Sequence, residues 1–139
     1  MKTTMKAAIL LLSGTIFFSQ ASLAGKPDRN PSEKDCPNAE LQTRCSVQLN
    51  YAYKLIGDLF ESDLVFLSRN NAEQDAATLQ CKVSGAEIKL AQDKDPEASM
   101  ALYKAIEKVM SLEGQGKMDD PNPGIQEALM AAKTCVDNP

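Results

Sequence analysis

Four cysteines, Cys36, Cys45, Cys81 and Cys135, constrain what this 139-residue chain can fold into more than any other feature, because all of them lie beyond an export signal. Lys2 and Lys6 precede an apolar run from Ala7 to Phe18, and Ala21-Ser22-Leu23-Ala24 places small residues before the expected cut. The run is too short to span a bilayer and is followed by the polar stretch Gly25 to Asn30, so residues 1–24 read as a removable secretory signal. An even number of cysteines in a short exported chain predicts two disulfides. Their wide spacing contains no Cys-x-x-Cys, which excludes the thioredoxin-type redox motif and the zinc-ribbon pair. No cysteine directly follows the small residues, so a lipid anchor at the cut is not expected. The signal is bacterial in style, and the periplasm is the expected destination, with secretion as the alternative.

Loss of Lys2 and Lys6 leaves 13 basic against 19 acidic residues, a net charge of −6. A chain so acidic, with no basic stripe, is a poor ligand for nucleic acid or for anionic lipid surfaces. No integral membrane segment is expected after signal removal, and an opposite charge on a partner would speed encounter, so another exported protein, basic in character, is the expected partner. About 115 mature residues make one domain, small enough that cross-links matter. Residues 25–35, with Pro27 and Pro31 and little to bury, read as a flexible leader, and residues 36–139 as a single helical domain.

From Pro37 onward the apolar period is helical. Leu41, Cys45, Leu49, Ala52, Ile56 and Leu59 form one stripe, and Ala72, Ala76, Leu79, Val83, Ala86 and Leu90 form another, with Asn70 or Asn71 as candidate caps. The second helix carries a further stripe through Ala77, Cys81, Ser84, Ile88 and Ala91, which predicts neighbours on two faces. Asp95-Pro96-Glu97 reads as a cap, a first-turn proline and a first-turn acid for a third helix ending at Gly114 as a left-handed cap. Asn122-Pro123 repeats that start for a fourth helix. The expected fold is all-α, a small antiparallel, disulfide-stapled bundle of about four helices, near 38–61, 64–92 with a break near Asn70, 96–113 and 123–136. If the first hairpin turns within Glu61-Ser62-Asp63, Cys45 and Cys81 lie equidistant from the turn, which predicts Cys45–Cys81, with Cys36–Cys135 tying the leader to the last helix; a turn at Asn70-Asn71 would instead set Cys45 and Cys81 roughly 20 Å apart along the axis.

The chain has no histidine, which removes the commonest general base, the usual partner of a nucleophilic serine or cysteine, and the commonest transition-metal ligand. The carboxylate pairs Glu107 with Glu113, and Asp119 with Asp120, sit on helix faces or connectors with no apolar pocket to raise a pKa. Asp93-Lys94-Asp95-Pro96-Glu97 fails as a calcium loop, because the sixth position lacks glycine and the twelfth is Lys104. Gly114-Gln115-Gly116-Lys117 follows a helix rather than a strand and lacks the phosphate-loop spacing. No catalytic residue, cofactor or metal is therefore expected. Met100, Met110, Met118 and Met130 could line a groove or fill the core. The aromatic region around Tyr53, Phe60 and Phe66 supplies apolar groups on more than one helix face and is the expected partner contact. The expected function is a non-catalytic interaction protein, such as an inhibitor or immunity factor; the alternative is a carrier of a small apolar ligand between helices.

Intact-mass measurement of the exported protein is expected to find a chain beginning at Gly25, with all four cysteines oxidised. A retained signal, or a start upstream of Ala21, would overturn the reading of residues 1–24.

Overall fold

Leu49, Ala52 and Ile56 of the sequence stripe, joined by Tyr53 and Gly57, line the inner face of the first helix, α1 (Ser46–Ser62). The computed structural model describes residues 36–139, and the expectations for the signal and the leader lie outside the described residues. Three more helices follow, α2 (Ala72–Ala91), α3 (Asp95–Gly114) and α4 (Ile125–Asp137), and among the described residues no strand competes with them. Each helix packs against two others, α1 on α2 and α4, α3 on α2 and α4. This is the square of an up-and-down bundle, and its centre is filled by side chains such as Leu49, Leu79, Leu102 and Leu129, all fully buried.

The chain turns later than the sequence suggested. α1 stops at Ser62 because Asp63 takes a left-handed conformation, with its N–H bonded to the Phe60 carbonyl. Residues 64–67, expected at the start of the second helix, instead pair with the α3–α4 connector. Leu67 N–H donates to the Lys117 carbonyl and Asp119 N–H to the Val65 carbonyl, which makes an isolated bridge of Phe66 with Met118. Val65, Phe66 and Met118 are buried by this pairing. One end of the bundle is thus closed by backbone hydrogen bonds between its two connectors.

That shift of the turn corrects the disulfide pairing. Gln80 Nε2 donates to the Tyr53 carbonyl at 3.1 Å, which fixes the hairpin register near residue 67 rather than residue 63. Cys45 then lies about seven helical residues, roughly 10 Å along the axis, from the level of Cys81, too far for a disulfide. The bonds formed are Cys36–Cys81 and Cys45–Cys135, with Cα separations of 5.1 and 5.9 Å. The second joins the entry of α1 to the last turn of α4.

Residues 38–45 are not helical, contrary to the stripe that began at Leu41, and this segment forms a strap over α1 and α2. Three of its backbone groups are bonded from beneath. Tyr53 Oη donates to the Cys36 carbonyl at 2.7 Å, Ser84 Oγ to the Pro37 carbonyl at 2.9 Å, and Leu41 N–H to Glu87 Oε2 at 3.0 Å. The second apolar stripe of α2 serves this purpose, since Cys81 and Ser84 hold the strap while Ile88 and Ala91 face solvent. At the strap's end Arg44 donates to the Val136 carbonyl and pairs with Asp95, tying α4 and the start of α3 to the same point.

The helix starts also differ from the caps expected. Asn71 stands at the N-cap of α2 without a side-chain cap bond, and Asp95 is the first residue of α3 rather than its cap. α4 begins two residues after Pro123, and its cap is Asp120, whose carboxylate accepts from the N–H groups of Ile125 and Gln126 at 2.7 and 2.9 Å. Gly124 makes this reach possible, since a Cβ there would collide with the Pro121 carbonyl and the Asp120 carboxylate. After α3, the left-handed residue is Gly116, not Gly114.

Leu129→Ala is expected to cost about 2–5 kcal/mol by leaving a cavity in the core, where Leu129 is fully buried, whereas the exposed Leu64→Ala should stay within about 0.5 kcal/mol. Urea denaturation midpoints of the two oxidised variants check this contrast.

Candidate interaction surface

Tyr53, Phe60 and Phe66, the expected contact residues, belong mainly to the interior. Tyr53 is fully buried with its hydroxyl spent on the strap, and Phe66 is buried in the connector bridge. Phe60 is half-buried and meets Phe66 edge to face, with ring centroids 6.3 Å apart. The physical reason is the helical angle. At 100° per residue Tyr53 sits about 40° from Leu49 and Phe60 about 40° from Ile56, both within the buried arc. Tyr51 points about 160° away from Leu49 by the same geometry and falls outside that arc.

Tyr51 and Val47, one turn apart on α1, are 59% and 77% exposed. They form one wall of an open groove of about 350 Å³ whose other wall is the start of α4, with Pro123, Gly124, Ala128 and Ala131. Gln48 and Glu127 supply its polar rim. The Asp120 cap, by fixing where α4 begins, sets the position of the second wall. The signal for this surface was present in the sequence as two large apolar residues lying off the α1 stripe.

A larger groove of about 840 Å³ runs along the outside of α2 and α3. Its floor is Ala77, Cys81, Gly85 and Ala101, and charged residues of both signs, among them Glu73, Lys82 and Glu97, surround it. Lys89 crosses its end to pair with Glu97 at 3.0 Å, which pulls the exposed Glu97 carboxyl below its ordinary range. Both concavities open to solvent at the helix surface, and neither lies among the four helices where the packed core runs.

The titratable chemistry is internal and structural. Glu87, on α2, is fully buried beneath the strap, and its Oε1 has no hydrogen-bond partner. Burial pushes its carboxyl above the ordinary value of 4.5, a shift that the Leu41 and Glu40 N–H groups oppose and the Glu40 charge reinforces. Asp75, at the start of α2, is buried against α3, where Lys108 stands 3.5 Å from Oδ1 while Oδ2 is unpaired. Neither carboxylate lines either of the two grooves described above. Glu107 accepts the Tyr103 hydroxyl, which raises the pKa of that phenol. Asp119 and Asp120 belong to the connector bridge and the α4 cap. Among the described residues no group of three or more Cys, Asp or Glu is placed to hold a metal ion. No helix among them is long and apolar enough to cross a membrane.

No protein-family model, curated protein or solved structure matches this chain.

Glu87 gives a pH dependence with a definite sign. The folded state holds its proton more tightly than the unfolded chain does, so the Glu87 contribution is fully present below pH 4.5 and is lost as the pH rises through the folded-state value. Glu87→Gln should therefore gain stability relative to the parent protein between about pH 4 and about pH 7. Denaturation midpoints of both proteins across that range are the measurement, and a pH-independent difference would remove the burial penalty from Glu87.

Proposed function

We propose that this protein acts by binding another exported protein, without catalysis, through the exposed α1–α4 surface around Val47 and Tyr51. The observation that carries the proposal is a protruding valine and tyrosine beside an apolar groove, on a scaffold held rigid by two disulfides. A tyrosine presents a large amphipathic surface at low entropic cost and is enriched among residues that dominate binding energy. The scaffold contributes preorganisation. α1 is cross-linked at its entry and crossed by the strap, so docking against it orders little additional chain.

Charge supports the same reading. The mature chain carries −6, and Glu127 stands on the groove rim, so a basic partner would be steered toward this surface. Disulfides are compatible with the oxidising compartment that the signal implies, the periplasm or the exterior. An inhibitor or immunity factor is the kind of protein that needs no more than this, a stable body and one complementary face. Carriage of a small apolar ligand is the less favoured reading, because the grooves are open and the space between the helices is filled by the core.

Tyr51→Ala is expected to weaken binding to the purified partner by about tenfold or more while the oxidised domain keeps its thermal midpoint. Raising salt should slow association more than it speeds dissociation. Surface plasmon resonance on the partner recovered from the native compartment measures both. Native mass spectrometry showing a tightly held small molecule, with no Tyr51-sensitive protein partner, would replace this reading with the carrier.

A further inference from the structure

Residues 25–35 join the bundle at the groove outside α2 and α3. Cys81 lies on the floor of that groove, and its disulfide to Cys36 fixes the end of the segment there, with the two Cα atoms 5.1 Å apart. The strap that follows Cys36 gives the direction of approach. Its contacts advance along α2 toward the C-terminal end, from Cys81 at Cys36 to Ser84 at Pro37 and Glu87 at Leu41. A chain on the same line reaches Cys36 from the N-terminal half of α2, over Thr78 and Gln74, which line the groove. From Cys81 back to Gln74 is a rise of roughly 10 Å along the helix, and about three extended residues cover it. Glu33, Lys34 and Asp35 therefore span this part of the groove.

The groove suits an extended backbone. Its floor of Ala77, Cys81, Gly85 and Ala101 carries no large side chain to hold a chain away. Gln74, Thr78 and Lys82 follow one another along α2 at steps of about 6 Å, close to the two-residue repeat of an extended or polyproline segment. Successive polar rungs thus meet equivalent positions of the backbone laid over them. The charges follow the same alternation. Glu73 and Lys82 stand about 180° apart around α2, with Cys81 near the middle, so they flank the groove on opposite sides. The other two charged residues of the lining, Lys89 and Glu97, are paired with each other. In an extended Glu33-Lys34-Asp35 the two acids point one way and the lysine the other, which matches Lys82 on one side and Glu73 on the other.

We infer that the α2–α3 groove is the docking site of the chain's own segment before Cys36, laid extended toward Gln74 with Lys34 on the Glu73 side and Glu33 and Asp35 on the Lys82 side. The disulfide makes the encounter intramolecular, so weak contacts suffice to hold it. This site is separate from the Tyr51 groove, and neither proposal needs the other.

Amide hydrogen exchange followed by NMR on the oxidised mature protein tests it. Ser32, Glu33 and Lys34 are expected to exchange about tenfold or more slowly than in an isolated peptide of residues 25–36 with its cysteine blocked. In the unsubstituted protein, nuclear Overhauser contacts should join the same residues to the methyl groups of Ala77 and Thr78. Glu73→Lys should cut the protection by about threefold, combining it with Lys34→Glu should restore it, and Tyr51→Ala should leave it unchanged. Peptide-like exchange and no such contacts in the unsubstituted protein would overturn the inference, as would protection indifferent to Glu73→Lys. Protection that grows with protein concentration would overturn it too, by assigning the groove to a second copy.

Discussion

The short segment between Cys36 and Cys45 closes this fold, because its two ends are cross-linked to different helices, α2 and α4. A strap fixed at both ends has little freedom left to lose, so the hydrogen bonds beneath it form at low entropic cost. Those bonds come from α1 and α2 at once, through Tyr53, Ser84 and Glu87. The strap thereby holds the first hairpin together at mid-height, while the Phe66–Met118 bridge closes one end of the bundle and Cys45–Cys135 the other. In a domain this small, covalent closure of a 90-residue loop constrains the unfolded chain by up to roughly 4 kcal/mol in the chain-entropy picture.

The same arrangement explains why α2 carries buried polar groups in an otherwise apolar stripe. Gln80, Ser84 and Glu87 are all buried and all reach across to backbone outside their own helix. Gln80 fixes the register of the α1–α2 hairpin, and Ser84 and Glu87 fix the path of the strap. A carboxylate is a costly way to accept backbone N–H groups, and its unpaired Oε1 adds to that cost. What it provides in exchange is direction, since an apolar side chain in its place would bury as much surface without saying where the strap must lie.

Burying Tyr53 and Phe66 to build this framework leaves Val47, Tyr51, Tyr103 and three methionines among the large apolar groups exposed on the helix faces. They fall on two sides of the bundle with different electrostatic character. The α1–α4 groove is rimmed by Gln48 and Glu127, whereas a groove between α3 and α4 is lined by the ion pair of Lys133 with Asp137.

The sequence by itself determined the class of structure. The period of the core stripes in α1 to α4, the absence of strand patterns and an even set of four widely spaced cysteines were enough to predict a stapled helical bundle, because these depend only on local spacing. The outward position of Tyr51 was legible too, from helical angle alone. The helix ends, the pairing of the cysteines and the occupants of the surface were decided by tertiary structure. Residues 64–67 are apolar enough to continue a helix and 38–45 lie on a helical stripe, but each gains more by pairing or packing with segments far away in sequence. Asp120 likewise caps α4 from outside the usual capping position, which only the turn at Gly124 allows. Local periodicity cannot register such gains, since they arise between residues that meet only once the chain has folded.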